Sequence, residues 1–261
     1  MMSRSQAELK DIAEQTAHKI EESVLSDNYT KDPFQHIIID NLFPAELSDK
    51  LLKAFPSRDD PSWHKTNDIG VEVKARTNWC SEFDIPDQLV DAIRVFNSAQ
   101  VLTAMSKVLQ IPKLMPDPYY SGGGLNMSEK NGHLDVHVDG NYHDASGMNR
   151  RVNLLYYLNP GWNESWGGEF GIYDNDGEHL VKAVAPLENR CVIFDTHDKS
   201  YHGLPNPIDF PSDKPRRSII LYYYTVANRP ESQVDVVEPH SALWRSKSYT
   251  DKKGNKTRDF R

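Results

Sequence analysis

Cysteine is scarce: Cys80 and Cys191 are the only two in 261 residues, and they lie far apart. They form neither a disulfide framework nor a paired zinc pattern, which fits a reducing compartment, and the expected location is the cytoplasm. No apolar run approaches the ~20 residues needed to span a bilayer. Met1 to Lys10 is polar and charged, without the apolar core of a signal peptide. No membrane partner is therefore expected. Positive charge is not in surplus either: 30 Lys and Arg stand against 38 Asp and Glu, a formal net charge of −8. Phosphate binding needs a basic surface, so nucleic acid is not an expected partner. Internal repeats are absent. What remains is ordinary for a globular chain: 38% hydrophobic and 10% aromatic residues suffice for a sizeable core in one large domain.

The first third reads as helical. Leu9, Ile12, Ala13, Ala17, Ile20, Val24 and Leu25 recur at helical spacing and predict a helix from Gln6 to Leu25. His36 to Asp40 is a short apolar strand. A second helix follows Pro44 and runs to about Phe55. Pro56 to Cys80 is polar and irregular, a loop long enough to be expected as a lid. A third helix spans Pro86 to about Leu109. From Pro112 the character changes. Strands are expected at Gly123–Met127, His133–Asp139, Val152–Leu158, Glu169–Tyr173, His179–Val184, Cys191–Asp195 and Ser218–Ala227. Turns separate them at Asn131-Gly132, Asn159 to Gly161, Asp176-Gly177 and Asn206-Pro207. The fold class expected is mainly β with a helical buttress: a double-stranded β-helix, or jelly roll, behind N-terminal α-helices. One domain would comprise a support region (1–111, with the candidate lid at 56–80), a catalytic core (112–228) and a polar C-terminal extension (229–261). The extension ends in a basic run of Lys252, Lys253, Lys256 and Arg258 and reads as a wrapping or partly disordered tail.

The chemistry concentrates in Gly132 to Asp139, Gly-His-Leu-Asp-Val-His-Val-Asp. His133/Asp135 and His137/Asp139 are two His-x-Asp pairs of one parity. The second precedes the Gly140-Asn141 turn, at a strand mouth where substrate can arrive. Alone, such a pair is a weak signal and reads as a solvated strand face. His202, in Tyr201-His-Gly203, could return beside it in a barrel. Two imidazoles and one carboxylate on one side of a metal leave open positions, an arrangement that suits non-haem Fe(II) oxygenases. Arg216 and Ser218 share a face at the entrance of the apolar strand Ile219–Tyr224. A buried arginine there needs a counter-charge, which a dicarboxylate would supply. The bland alternative for Pro215-Arg216-Arg217 is a surface cluster.

These residues carry a family resemblance from about Gly122 to Thr225. The chain resembles the Fe(II)/2-oxoglutarate-dependent dioxygenases, in their prolyl 4-hydroxylase-like branch. His137-Val-Asp139 and His202 are similar to the family's iron ligands. Arg216-Arg-Ser218-Ile is similar to the segment whose first arginine binds the far carboxylate of 2-oxoglutarate. Tyr156-Tyr-Leu-Asn159 is similar to a stretch whose second tyrosine, here Tyr157, bonds the same carboxylate. Trp166-Gly-Gly-Glu169 is similar to the family's Gly-Gly turn. The tyrosine that several relatives place before the first ligand is missing, and Asn126 or Met127 falls near its place. The resemblance implies Fe(II), 2-oxoglutarate and O2 with ascorbate as reductant, and hydroxylation of an unactivated C–H bond with succinate and CO2 as co-products. Asp139 implies hydroxylation rather than halogenation.

The substrate implied is a peptidyl proline or a related side chain, with a small molecule (free amino acid, sugar or metabolite) as the alternative. A non-catalytic jelly-roll binding module and a cupin-type metal protein are weaker readings, since neither accounts for Arg216 beside a metal triad. His143 and His197 read as surface loop residues, and Tyr222 to Tyr224 as sheet packing. Trp162 and Trp166 read as a packed corner or as the substrate mouth. Arg76, Asn78 and Trp79 could belong to a lid. Asp174 to Gly177 reads as a hairpin turn rather than a calcium loop.

Overall fold

The computed structural model describes residues 4–68 and 70–246, and the backbone of 249–250 and 256–258. In chain order the elements are α1 (Gln6–Glu22), β1 (Tyr29–Thr30), β2 (His36–Ile39), α2 (Ala45–Ala54), β3 (Trp63–Asp68), β4 (Glu72–Thr77), α3 (Asp87–Phe96), α4 (Ala99–Leu109), β5 (Met115–Pro116) and β6 (Gly124–Ser128). Then follow β7 (His133–Leu134), β8 (His137–Val138), β9 (Asn149–Tyr157), β10 (Phe170–Tyr173), β11 (Leu180–Val184), β12 (Cys191–Asp195), β13 (His202–Gly203), β14 (Arg216–Thr225) and β15 (Leu243–Trp244). A short pair, β16 (Tyr249–Thr250) and β17 (Lys256–Arg258), comes last among the described residues. Lys252 and Lys253 of the basic run lie outside the described residues.

Two antiparallel sheets face each other, as a jelly roll requires. The major one runs β1-β2-β12-β9-β14-β6-β4-β3, with β5 on β14 and β7 on β4; the minor one runs β11-β10-β13-β8-β15. The space between them is filled by Leu155, Tyr157, Phe170, Ile172, Val192 and Phe194. Alternate residues of the same strands, among them Leu154, Tyr156, Ile193 and Leu221, pack with the helices on the other face of the major sheet. Two-sided burial explains why β9 and β12 read as continuous apolar runs rather than alternating ones.

The helices form where the sequence supplies both stripe and stop. Ser5 caps α1: its Oγ accepts from Glu8 N–H, while Glu8 Oε2 accepts from Ser5 N–H at 2.8 Å. Leu9, Ile12, Ala13, Thr16 and Ile20 then bury one face. The third helix expected from the sequence is two. Asn97 closes α3 and Ser98 opens α4 in an extended conformation, its Oγ accepting from Val101 N–H. A capping serine ended a periodicity that the apolar stripe alone carried through.

Three other expectations change. The segment 56–80 is not irregular: it holds the β3–β4 hairpin, with six residue pairs from Trp63↔Thr77 to Asp68↔Glu72. Through Ala75↔Met127 and Arg76↔Asn126 the hairpin extends the major sheet. Lys65 and Asp68 of β3 face solvent on the sheet's edge, which is why the segment reads as loop. The single strand His133–Asp139 is two: β7 pairs β4 in the major sheet, and β8 pairs β13 in the minor one. The chain crosses between sheets at Asp135-Val136, so one parity does not run through all four residues. Finally, the tail up to residue 246 is ordered. It adds β15 to β8 through Leu243↔Val138 and Trp244↔His137.

Candidate metal centre

β8 and β13 are antiparallel neighbours with His137 directly opposite His202. Their rings lie 4.3 Å apart, and Asp139 follows β8 by one residue. One ligand atom from each of the three side chains lies within 4.8 Å of the others. All three residues are buried, His137 at 5%, Asp139 at 6% and His202 at 4% exposure. Each imidazole is oriented in the same way. Nδ1 of His137 lies 2.9 Å from the Asp135 carbonyl, and Nδ1 of His202 lies 2.9 Å from the Ser200 carbonyl. A carbonyl only accepts, so Nδ1–H donates, and Nε2 keeps its lone pair. Both Nε2 atoms point toward Asp139 Oδ1, at 3.7 and 3.8 Å. The other carboxylate oxygen accepts from Asn153 Nδ2 at 3.1 Å.

Burial and the neighbouring His137 push His202 down to about 4, so it is a neutral imidazole at neutral pH, the form that binds metals. Burial works against the Asp139 carboxylate, but His202, His137 and Arg150 outweigh it and hold the group far below the usual carboxylate range. Two imidazoles and one carboxylate on one side, backed by carbonyls and an amide, fit a divalent iron with open positions. Phe170 and Phe194 pack on the far side of His202, at 5.4 and 4.8 Å.

Deeper between the sheets lies a second polar group. Tyr157, Ser218 and Asn126 form a row across β9, β14 and β6, since Ser218 is opposite both of the others. Tyr157 Oη, Ser218 Oγ and Asn126 Nδ2 are all buried without a hydrogen-bond partner. Arg216 stands beside the row, its guanidinium 5.1 Å from the Tyr157 ring centre and its Nε donating to the Gly168 carbonyl at 2.6 Å. Native interiors seldom leave such groups unsatisfied. One cation and three orphaned polar groups fit a bound carboxylate, as 2-oxoglutarate would present. Of the two candidates for the missing tyrosine's place, Asn126 joins this row and Met127 packs in the helix-side core.

Above the triad a cavity of about 250 Å³ opens to solvent. His137 and Asp139 form its floor; Glu72, Lys74, Arg76, Arg150, Tyr222, His240 and Trp244 are among its walls. Arg150, Tyr222 and Trp244 had no functional signal in the sequence. A bulge in the β9–β14 pairing, between Tyr223↔Val152 and Tyr224↔Arg150, breaks alternation and re-aims Arg150. Tyr222 was expected only as packing, yet it lines this cavity. Trp244 stacks on His137 at 4.5 Å from a segment that reads as a polar tail.

The remaining readings sort plainly. His143 and His197 are not surface residues but buried, and His143 Nε2 donates to Asp117 at 3.0 Å. Trp162 and Trp166 pack with Leu204, Ile208 and Phe210 as a corner. Asp174 to Gly177 is the β10–β11 hairpin turn. Of the three suggested lid residues Arg76 lines the cavity, Asn78 is exposed and Trp79 is core. Cys80 and Cys191 are both free. No helix among the described residues is long and apolar enough to cross a membrane.

Comparison with known proteins agrees with this geometry. Residues 123–224 match the family model of the 2OG-Fe(II) oxygenase superfamily. The mouse (Mus musculus) prolyl 3-hydroxylase OGFOD1 is 32% identical over 87 residues, 31% of this chain and 15% of that protein. The match thus spans about 15% of the length of that curated relative. Among solved structures, a prolyl hydroxylase from Trichoplax adhaerens, in complex with a hypoxia inducible factor oxygen degradation domain peptide fragment, superposes with a TM-score of 0.57. It is 15% identical and covers 85% of this chain and 94% of its own. A Pseudomonas putida prolyl-4-hydroxylase gives a TM-score of 0.55 at 16% identity, over 80% of this chain and 98% of its own. At such identities these two likenesses speak for the fold.

Proposed function

We propose, from the match of residues 123–224 to the family model of the 2OG-Fe(II) oxygenase superfamily, that the chain is an Fe(II)- and 2-oxoglutarate-dependent hydroxylase of the prolyl hydroxylase-like kind. The observation that carries the proposal is the convergence of His137, Asp139 and His202 beside an orphaned polar row closed by Arg216. His137, Asp139 and His202 would hold the ferrous ion. Arg216, Tyr157 and Ser218 would hold the far carboxylate of 2-oxoglutarate, with Asn126 beside them. With both bound, the iron would supply the oxygen activation by which one atom of O2 enters succinate, with release of CO2, and the other enters a substrate C–H bond.

The chain's own residues set the conditions. The Asp135 and Ser200 carbonyls fix both imidazole tautomers, and Asn153 fixes the Asp139 carboxylate. Phe170, Phe194 and Trp244 shield the rings from water. A peptidyl proline is the favoured substrate, in keeping with the similarity to prolyl hydroxylases; a small molecule is the alternative. Ascorbate would serve as reductant and the cytoplasm as the location.

The test is succinate release with Fe(II), 2-oxoglutarate and ascorbate, first without substrate and then with proline-containing peptides screened for a mass gain of one oxygen. His137→Ala, Asp139→Ala and His202→Ala should each abolish succinate formation, while Arg216→Ala should chiefly weaken 2-oxoglutarate binding. Absence of both 2-oxoglutarate binding and uncoupled turnover in the wild type would end the enzyme reading.

A further inference from the structure

The cavity above the triad holds two guanidinium groups, those of Arg150 and Arg76, and of these only Arg150 feels a carboxylate, Asp139, beyond ion-pair distance. Arg150 lies over the Tyr222 ring at 3.9 Å and within 5.7 Å of the Tyr224 ring centre, and its Nε is buried without a hydrogen-bond partner. Arg76 reaches the same wall from β4: a Cβ built on Gly122 would stand 3.8 Å from its Nη1 and 3.5 Å from the Tyr222 ring. Neither arginine has a carboxylate at ion-pair distance among the described residues, whereas Lys74 on the same wall is neutralised by Glu72 at 2.8 Å. Asp144 is exposed at the rim, with the Tyr142 hydroxyl as its partner.

Charge balance sharpens the point. A ferrous ion and Arg216 contribute three positive charges, and Asp139 with a doubly ionised 2-oxo acid contributes three negative ones. Counted without Arg76, Arg150 and the exposed rim residue Asp144, the loaded site would be neutral. The two arginines therefore stand as a surplus in a cavity of about 250 Å³, walled by Tyr222 and Trp244. A partly buried cation without a counter-charge is costly, and guanidinium forks match carboxylates in geometry.

We propose that the primary substrate carries a carboxylate close to the carbon that is hydroxylated, and that Arg150 and Arg76, which share the cavity wall with Tyr222, bind it. The inference rests on the hydroxylase reading above and names the substrate class for the same site. The carboxylate has two possible sources: an acidic side chain flanking a peptidyl proline, or the α-carboxylate of a free amino acid. The small cavity admits one residue or one metabolite in either case.

The experiment uses the full chain with Fe(II) and 2-oxoglutarate in two arms. One offers a peptide library with a fixed proline and Asp, Glu, Asn or Gln at the flanking positions. The other offers free proline and other amino acids against their carboxamides. Each is read by mass gain of one oxygen, with uncoupled succinate release measured separately. Acids should be hydroxylated at least tenfold faster than their amides in one arm, and that arm identifies the source. Arg150→Gln and Arg76→Gln should erase the acid preference, and Arg76→Glu should reverse it toward amides or basic flanks. Equal use of acid and amide overturns the inference. So does a protein that releases succinate but hydroxylates no acid in either arm, an outcome that leaves the hydroxylase reading standing. A protein that releases no succinate fails at the earlier step.

Discussion

At Gly168 the backbone runs at φ +79°, and a Cβ there would lie 3.0 Å from Arg216 Cδ and 3.1 Å from Phe210. The missing side chain lets the Gly168 carbonyl take the Arg216 Nε–H. Gly168→Ala should add backbone strain of about 1 kcal/mol or more and push the guanidinium aside. The KM for 2-oxoglutarate should rise about tenfold, with a smaller change in the thermal midpoint; a KM that stays put would show that Arg216 does not read the co-substrate. His197 argues a different residue-scale effect. Burial and then Arg229 push it down to about 4, and its Nδ1 accepts from Lys199 N–H. The folded pKa is below the unfolded value of about 6.5, so the unfolded chain binds the proton first. The stabilising contribution is complete above about pH 6.5 and is lost as pH falls toward 4, on the order of 3 kcal/mol in all. Urea midpoints from pH 7 to 4 should fall less steeply in His197→Asn than in the wild type. A histidine in a polar loop carries no mark of burial, so this group was not legible in one dimension. The metal candidates were legible for the opposite reason: a carboxylate two residues from a histidine has a spacing, and spacing survives in one dimension.

Element by element, legibility followed periodicity. α1 and α2 carry apolar stripes and appear close to their expected limits. The β3–β4 hairpin has Lys65 and Asp68 of β3 exposed on the sheet's edge and so hid as a loop, and the switch between sheets at Asp135-Val136 left no compositional trace. Ion pairs between elements are equally silent in sequence, yet their energies differ widely. On α1, Lys10 and Glu14 lie 3.7 Å apart but are 68% and 55% exposed, so Glu14→Gln should change stability by no more than about 0.5 kcal/mol. Lys50 of α2 meets Asp91 of α3 at 2.9 Å with the aspartate side chain fully buried. Lys50→Ala strands that carboxylate and should cost about 3 kcal/mol in urea unfolding. Joint replacement, Lys50→Met with Asp91→Leu, should recover most of the loss, because it removes the buried charge as well as its partner. A double variant no more stable than Lys50→Ala would mean that the pair does more than neutralise itself.

For the molecule as a whole, the candidate site depends on segments far apart in the chain. The β4 wall comes from the helical third, the triad and Arg216 from the core, and His240 and Trp244 from the last described residues. The catalytic core read as 112–228 thus recruits strands from both flanks, β2 and β4 from one side and β15 from the other. One anchor of the C-terminal strap is Asp198. Its Oδ2 accepts from the N–H groups of Asp235 and Val236 at 2.8 Å each, and its Oδ1 faces Arg229 at 3.5 Å and His240 at 3.3 Å. From that latch the strap runs to β15, where Trp244 covers the His137 ring. Asp198→Ala should therefore act at a distance. It leaves Arg229 buried with a lost partner, a destabilisation of about 3 kcal/mol, and frees residues 229–245 to move. Limited proteolysis should cut the variant within that stretch while the wild type resists. Metal affinity, titrated in the same protein, should fall about tenfold, the lower end for losing outer support of a ligand histidine. Cleavage with undiminished affinity would separate the two, and would mean that β8 holds His137 in place without the strand laid beside it.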